Sequence, residues 1–338
     1  MREKDDWNLD VIEKIEVWLS QSPYIFLDKF KQVTYFLKDQ YFVSNWGDVK
    51  ITPTQDQNIK DFEVKQPIEF GSNIISMKLT GSVQWCKEYD EWSVADDYTL
   101  DFLEFSDDFI RDYTNSFLLE LCDTGGHWFR GQADYRWSCQ PSLSRVKSSS
   151  ENLEEKLRKE YCKQISFLPD LSEIIKDIVR LTFLMQHHGL PTRLLDWSRS
   201  PLIALYFAIQ NDKSQEDASL WVLDYSGLNH YYAYKEEEHK LESLLSKVCD
   251  EDFIFAVHAP YVDLRMKSQQ AEFTIFSNFK VSADSFLEND NKILKKYFIP
   301  YQIKSFLKKR LENLGINHST LFPDIDNIAK EIKERLIA

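Results

Sequence analysis

Arg130 ends a short apolar run and stands immediately before Gly131. A guanidinium there offers a rigid planar fork to a phosphate or a carboxylate. A glycine beside it lets a ligand approach the main chain. The same arginine can instead pair with a carboxylate of its own chain, Asp134 or Asp196, and residue types alone leave both readings open. A second set of polar exceptions lies in FLMQHHGLPTRLLDWSRSPLIALYFAI, residues 183–209, where Arg193, Asp196 and Ser198 interrupt an apolar stretch. A buried charge needs a partner, so Arg193 and Asp196 either pair with each other, shaping the site, or face a ligand. His187 and His188 end a helix, where the dipole favours a cation. Of the two, His188, beside Gly189, is the better candidate to face a ligand. No HxxxH or CxxC partner lies near them, so a metal is not expected.

These side chains need elements to hold them. Gly189 can take the left-handed conformation that closes a helix, and Pro191 prevents it restarting. Thr192–Trp197 predicts a buried strand. Ser200 reads as an N-cap with Pro201 at the first helical position, followed by Leu202, Leu205, Tyr206 and Ile209 at helical spacing. Upstream, Gly125 and Gly126 lead into a predicted strand over His127–Arg130. Helices are expected over Glu151–Leu168 and from Ser172 to about His188. Strands follow over Ser219–Asp224, Phe253–Ala256 and Glu272–Phe276, with a charged helical insertion over Tyr231–Ser246. Ile303, Phe306, Leu307, Leu311 and Leu314 predict an amphipathic helix closed by Gly315, and LFPDID, residues 321–326, opens a last helix.

The N-terminal part reads differently. Val11, Ile15, Trp18 and Leu19 suggest helices before residue 45, and Ile51–Cys86 shifts to strands, MKLTGSVQWC being the clearest. Residues 87–112 carry ten acidic side chains against Lys87 and Arg111 and predict a solvated helix face or connector, with a docking surface for a basic partner or an intramolecular mimic of nucleic acid as the alternative. The boundary is expected at Phe117–Thr124, giving an accessory region over 1–120 and a second domain over 121–338.

Phe129-Arg130-Gly131 within WFRGQADYRWSCQPSLSR, together with GLPTRLLDWSRSP and ALYFA, resembles the FRG domain family, from about Trp128 to Ala329. Three features further resemble the ADP-ribosyltransferase superfamily in its Arg-Ser-Glu version. An arginine ends a strand (Arg130), a serine follows a strand and precedes a helix (Ser198), and Gln270-Ala271-Glu272 opens a late strand. FRG relatives more often carry glycine at the Ala271 position and no acid at Glu272. The resemblance implies an α+β fold with an ADP-ribosyltransferase-like split β-sheet and flanking helices, behind an N-terminal α/β region. It also implies NAD as substrate. Losing nicotinamide leaves a cationic, oxocarbenium-like ribose, which a carboxylate stabilises as in glycoside hydrolysis. Glu272 would supply that carboxylate, and Ser198 would orient the ribose and support Glu272 by a hydrogen bond. Gln270, on the same strand face as Glu272, would position the acceptor. Arg130, Gly131, His188 and Arg193 would hold the dinucleotide. The chain lacks a glycine-rich dinucleotide fingerprint, so a Rossmann manner of binding is not expected.

Composition narrows the function classes. A net charge of −14 disfavours field-driven binding to nucleic acid. One segment runs against it: residues 291–310 carry seven basic and no acidic side chains, interleaved with Tyr297, Phe298 and Tyr301. It reads as a solvated helix face or as a surface for nucleic acid or an acidic partner. Five scattered cysteines predict reduced core thiols rather than a disulfide framework. The polar N-terminus and the absence of a long apolar run predict a cytoplasmic protein with no membrane contact. The expected function is an NAD-dependent ADP-ribosyltransferase of the bacterial toxin-antitoxin or anti-phage kind, held by an antitoxin or inhibitory partner. Its acceptor is expected to be a macromolecule, RNA slightly ahead of protein. An NAD glycohydrolase using the same site and a non-catalytic recognition module are the alternatives.

Overall fold

In the computed structural model, the described residues are 49–323 apart from 57, 71–72, 87–90, 95–98, 147–152, 212, 233–244, 246–252, 259–260, 262, 278–279 and 288–291, with the isolated positions Ile15, Lys333 and Leu336. The helices expected before residue 45, most of the Tyr231–Ser246 insertion and the last helix lie outside the described residues. The chain divides into two compact units, Met1–Glu120 and Leu121–Ala338.

The first unit carries an antiparallel sheet of β1 (Val49–Pro53), β2 (Ile59–Phe70), β3 (Asn73–Cys86), β4 (Glu91–Val94) and β5 (Thr99–Phe105). The long strand β3 pairs with β2 along one edge, while β4 and β5 share the other. Phe62 and Val64, and likewise Leu79 and Val83, are buried at even spacing, as a sheet with one covered face requires. Helix α1 (Asp107–Asp123) begins in this unit. Its Phe109, Tyr113 and Phe117 recur every four residues and stack with centroids 5.6 and 6.0 Å apart. The acidic stretch 87–112 is therefore not one helix face or a connector: it contains β4, β5 and the start of α1. β5 shows no clean alternation, because its pairing with β3 shifts register between Ser76 and Met77.

The second unit is built on a six-stranded sheet, all pairs antiparallel, in the order β11-β8-β6-β7-β10-β9. The strands are β6 (Trp128–Gln132), β7 (Leu194–Ser198), β8 (Ala218–Leu223), β9 (Ile254–Val257), β10 (Ala271–Phe276) and β11 (Leu294–Ile299). The flanking helices are α2 (Leu153–Ile165), α3 (Ser172–Lys176), α4 (Ile178–His187), α5 (Pro201–Ile209), α6 (Tyr225–Tyr232), α7 (Leu264–Ser268), α8 (Ala283–Phe286), α9 (Lys304–Asn313) and α10 (His318–Leu321). β8 and β10 are buried at every position, which explains their mostly apolar sequences; Ser219, Glu272 and Thr274 are the buried polar exceptions. The mixed helix and antiparallel-sheet content makes the fold α+β.

Two local details differ from the sequence reading. The helix expected from Ser172 is interrupted: α3 ends at Lys176, and Asp177 caps α4 by accepting from Val179 and Arg180 N–H. Residues 291–310 are not one helix face but strand β11 followed by α9. The turn chemistry around β7 is as expected. Gly189 has φ +78°, and Ser200 caps α5 with Pro201 at its first position.

The halves β11-β8-β6 and β7-β10-β9 meet at a single register pair, Phe129↔Ser198, after which β6 and β7 part. Helix α5 closes over the junction so tightly that a Cβ on Gly131 would lie 1.9 Å from the Ala204 carbonyl oxygen. Among the described residues no helix is long and apolar enough to cross a membrane.

Candidate functional site

Where β6 and β7 part, the sheet opens into a pocket of about 440 Å³. Arg130 lies in the opening. Its Nη1 donates to the Asp196 carbonyl oxygen at 2.8 Å and sits 3.8 Å from the Asp196 carboxylate. Its Nε is buried with no hydrogen-bond partner, an arrangement that costs about 1–3 kcal/mol unless an acceptor arrives. Asp196 is held by Gln186, whose Nε2 donates to Oδ2 at 2.8 Å and whose Oε1 accepts from the Thr192 hydroxyl. Arg145 and Arg265 also line the pocket, with Trp137 and Phe207 supplying flat apolar surface. Guanidinium groups beside aromatic faces suit a phosphate-bearing nucleotide.

His187 lines the pocket too, 3.0 Å from Asp263. Burial holds its pKa below the ordinary value and outweighs the Asp263 carboxylate. The ring is thus neutral near pH 7, and the contact is an Nε2–H donating to a carboxylate rather than an ion pair.

A second group of side chains gathers on the other face of the sheet. Antiparallel partners point the same way and successive residues alternate. The rungs Ala271↔Ser198 and Phe273↔Asp196 therefore face the pocket, and Glu272↔Trp197 faces away. The Glu272 carboxylate is 6% exposed, with Oε2 3.0 Å from His258 Nδ1 and Oε1 3.4 Å from Arg199 Nε. Arg199 Nη2 donates to the Tyr261 hydroxyl at 2.7 Å. The His258 ring is 65% exposed and packs edge-on against Trp128 and Tyr225.

Arg130, Ser198 and Glu272 thus sit within one residue of the rung Phe129↔Ser198↔Ala271, on three adjacent strands. By alternation Arg130 leaves β6 on the Glu272 face, but its guanidinium turns to Asp196 in the pocket, which Ser198 also lines and Glu272 does not. Ser198 does not support Glu272: its hydroxyl donates to the Gln269 carbonyl at 2.7 Å and accepts from Ser200 N–H. Gln270 is not on β10 but in the turn before it, exposed, with φ +48°. Strand alternation does not reach it, and it does not share the face of Glu272. His188 is exposed and outside the pocket lining, whereas its neighbour His187 is inside.

Arg193 does not pair with Asp196 or line the pocket. It lies just before β7, buried, and is bonded to Glu154 of α2, Nε to Oε2 at 2.6 Å and backbone N–H to Oε1 at 2.9 Å. Gly131 does line the pocket, but its lack of a side chain is required by α5 rather than by a ligand. In the basic segment, Lys296 turns inward to the Tyr135 carbonyl, lying over the Tyr135 and Trp221 rings, and Lys304 is fully buried. Of the described cysteines only Cys139 is a buried thiol, its pKa pushed up to about 12 by that burial; Cys122 is exposed.

Sequence reasoning passes over His258, Arg199 and Gln186 as members of these groups, while it names Asp196 as ligand-facing or paired with Arg193. The register could have found the first: Val257 pairs with Phe273, so His258 falls beside Glu272.

The FRG domain family model matches residues 126–217. That segment contains Arg130, Asp196 and Ser198 and ends before Glu272. No curated protein and no solved structure matches the chain.

Proposed function

We propose that this protein is an NAD-dependent ADP-ribosyltransferase acting on a macromolecule, in the manner of a toxin or defence effector. The observation that carries the reading is the split of the sheet, with Arg130, Ser198 and Glu272 within one residue of a common rung on three neighbouring strands. A sheet divided into halves at its centre is what the ADP-ribosyltransferase-like fold calls for. Arg130, with its orphaned Nε, binds the pyrophosphate as the strands part. Glu272, nearly desolvated one residue from that rung though outside the lining of the Arg130 pocket, is the carboxylate assigned to stabilise the ribosyl cation as nicotinamide departs. Ser198 holds the Gln269 turn and β7 together rather than touching the ribose. The preference for RNA loses the inward-turned Lys296 and Lys304, so RNA and protein stand level as acceptors.

A recognition module that binds a nucleotide without turning it over is the second reading. It is favoured by one observation: Glu272 is not in the lining of the pocket that holds Arg130, Asp196 and Ser198. Incubation with labelled NAD and cell extract, with and without nuclease or protease, separates the readings. Label on a macromolecule supports transfer, and the enzyme that removes it names the acceptor. Free ADP-ribose alone supports hydrolysis at the same site. NAD binding without turnover supports the module.

A further inference from the structure

The Glu272–His258 pair has the form of a general base with its orienting carboxylate, and nothing in the transfer reading so far uses the histidine. A carboxylate only accepts hydrogen bonds. With Glu272 Oε2 3.0 Å from Nδ1, that nitrogen carries the proton and Nε2 is the basic atom of the ring. The carboxylate is nearly dry and the ring is mostly in solvent, so the acid is fixed and the base is open to a large acceptor. Trp128 and Tyr225, stacked on each other, both pack edge-on against the ring, at 5.2 and 5.6 Å. On the other side of the carboxylate Arg199 Nε stands 3.4 Å from Oε1, with Arg199 Nη2 donating to the Tyr261 hydroxyl.

We propose that His258 is the base that deprotonates the acceptor, and that the acceptor is therefore a group that must lose a proton as it attacks, a hydroxyl or an amide or nucleobase N–H. This rests on the transfer reading above. In the step, the C1′–N bond to nicotinamide breaks and nicotinamide leaves with the bonding pair. The acceptor's lone pair forms the new bond to C1′, and its proton passes to Nε2 of His258. Glu272 accepts from Nδ1–H throughout and stabilises the imidazolium that results.

The test compares wild type with His258→Ala, an exposed position whose truncation leaves the sheet intact, and measures transfer and NAD affinity with and without added imidazole. Transfer falls roughly 100- to 10,000-fold in the variant, the range for a positioned base. NAD affinity is unchanged, and imidazole restores part of the rate. A variant that transfers at the wild-type rate overturns the assignment of the base while leaving the transferase reading intact. A fall that imidazole does not relieve also overturns it, reducing His258 to packing. A wild type that turns over no NAD overturns both.

Discussion

Glu154 and Arg193 are each under a tenth exposed, and the guanidinium and the backbone N–H of Arg193 both bond to the one carboxylate. Breaking a buried pair by removing one partner leaves an uncompensated charge and costs about 3–5 kcal/mol. Glu154→Gln is therefore expected to lower stability by about 3 kcal/mol in urea unfolding, without a direct effect on ligand affinity. His187 gives a pH dependence of definite sign. Its folded pKa lies below the ordinary histidine value because of burial, so the unfolded chain binds the extra proton first. Stability then falls as pH drops through the ordinary histidine range toward the lowered folded value. The melting temperature of wild type should fall more between pH 7 and pH 5.5 than that of His187→Gln; equal falls would contradict this.

At the scale of elements, Gly131 is the position where β6 and α5 are nearly in backbone contact, with Ala204 O and Ala208 N both within 2.6 Å of a hypothetical Cβ. Neither atom can swing away, so Gly131→Ala should destabilise by about 3 kcal/mol, the upper end of overpacking costs. A wild-type melting temperature would contradict the packing. Most strands near the site were legible because a fully buried strand is short and mostly apolar, as in β8 and β10. Caps and turns were legible where Gly189, Ser200 and Pro201 leave few conformational choices. What was not legible was direction and partnership. Arg193 and Asp196 stand three apart and invite pairing, but Arg193 lies in the bend before β7 and a distant helix supplies Glu154. Gln270 stands two before Glu272, yet the strand starts between them. His258 could be found only from the β9–β10 register, which no local pattern encodes.

For the whole molecule, the family match and the folding unit are different lengths. Residues 126–217 contain only β6 and β7 of the sheet, and these share one register pair. Their other partners, β8 and β10, lie beyond residue 217. A fragment 126–217 is thus expected to show no cooperative thermal transition, while 121–338 unfolds in a single step. A folded 126–217 would show that the sheet is not what holds this segment together. The acidic total of −14 and the guanidinium-lined pocket belong to different scales as well: the first governs diffuse attraction, the second a fixed anion site.

The claim that the split of the sheet is a site of NAD chemistry is tested most directly by nicotinamide release from NAD by wild type and Glu272→Gln, with melting temperatures recorded alongside. Release by wild type is expected, with a fall of roughly 100- to 1,000-fold in the variant, as for removal of a transition-state stabilising group, and similar melting temperatures. Equal release by the two proteins, or no release by wild type with any acceptor preparation, would contradict it.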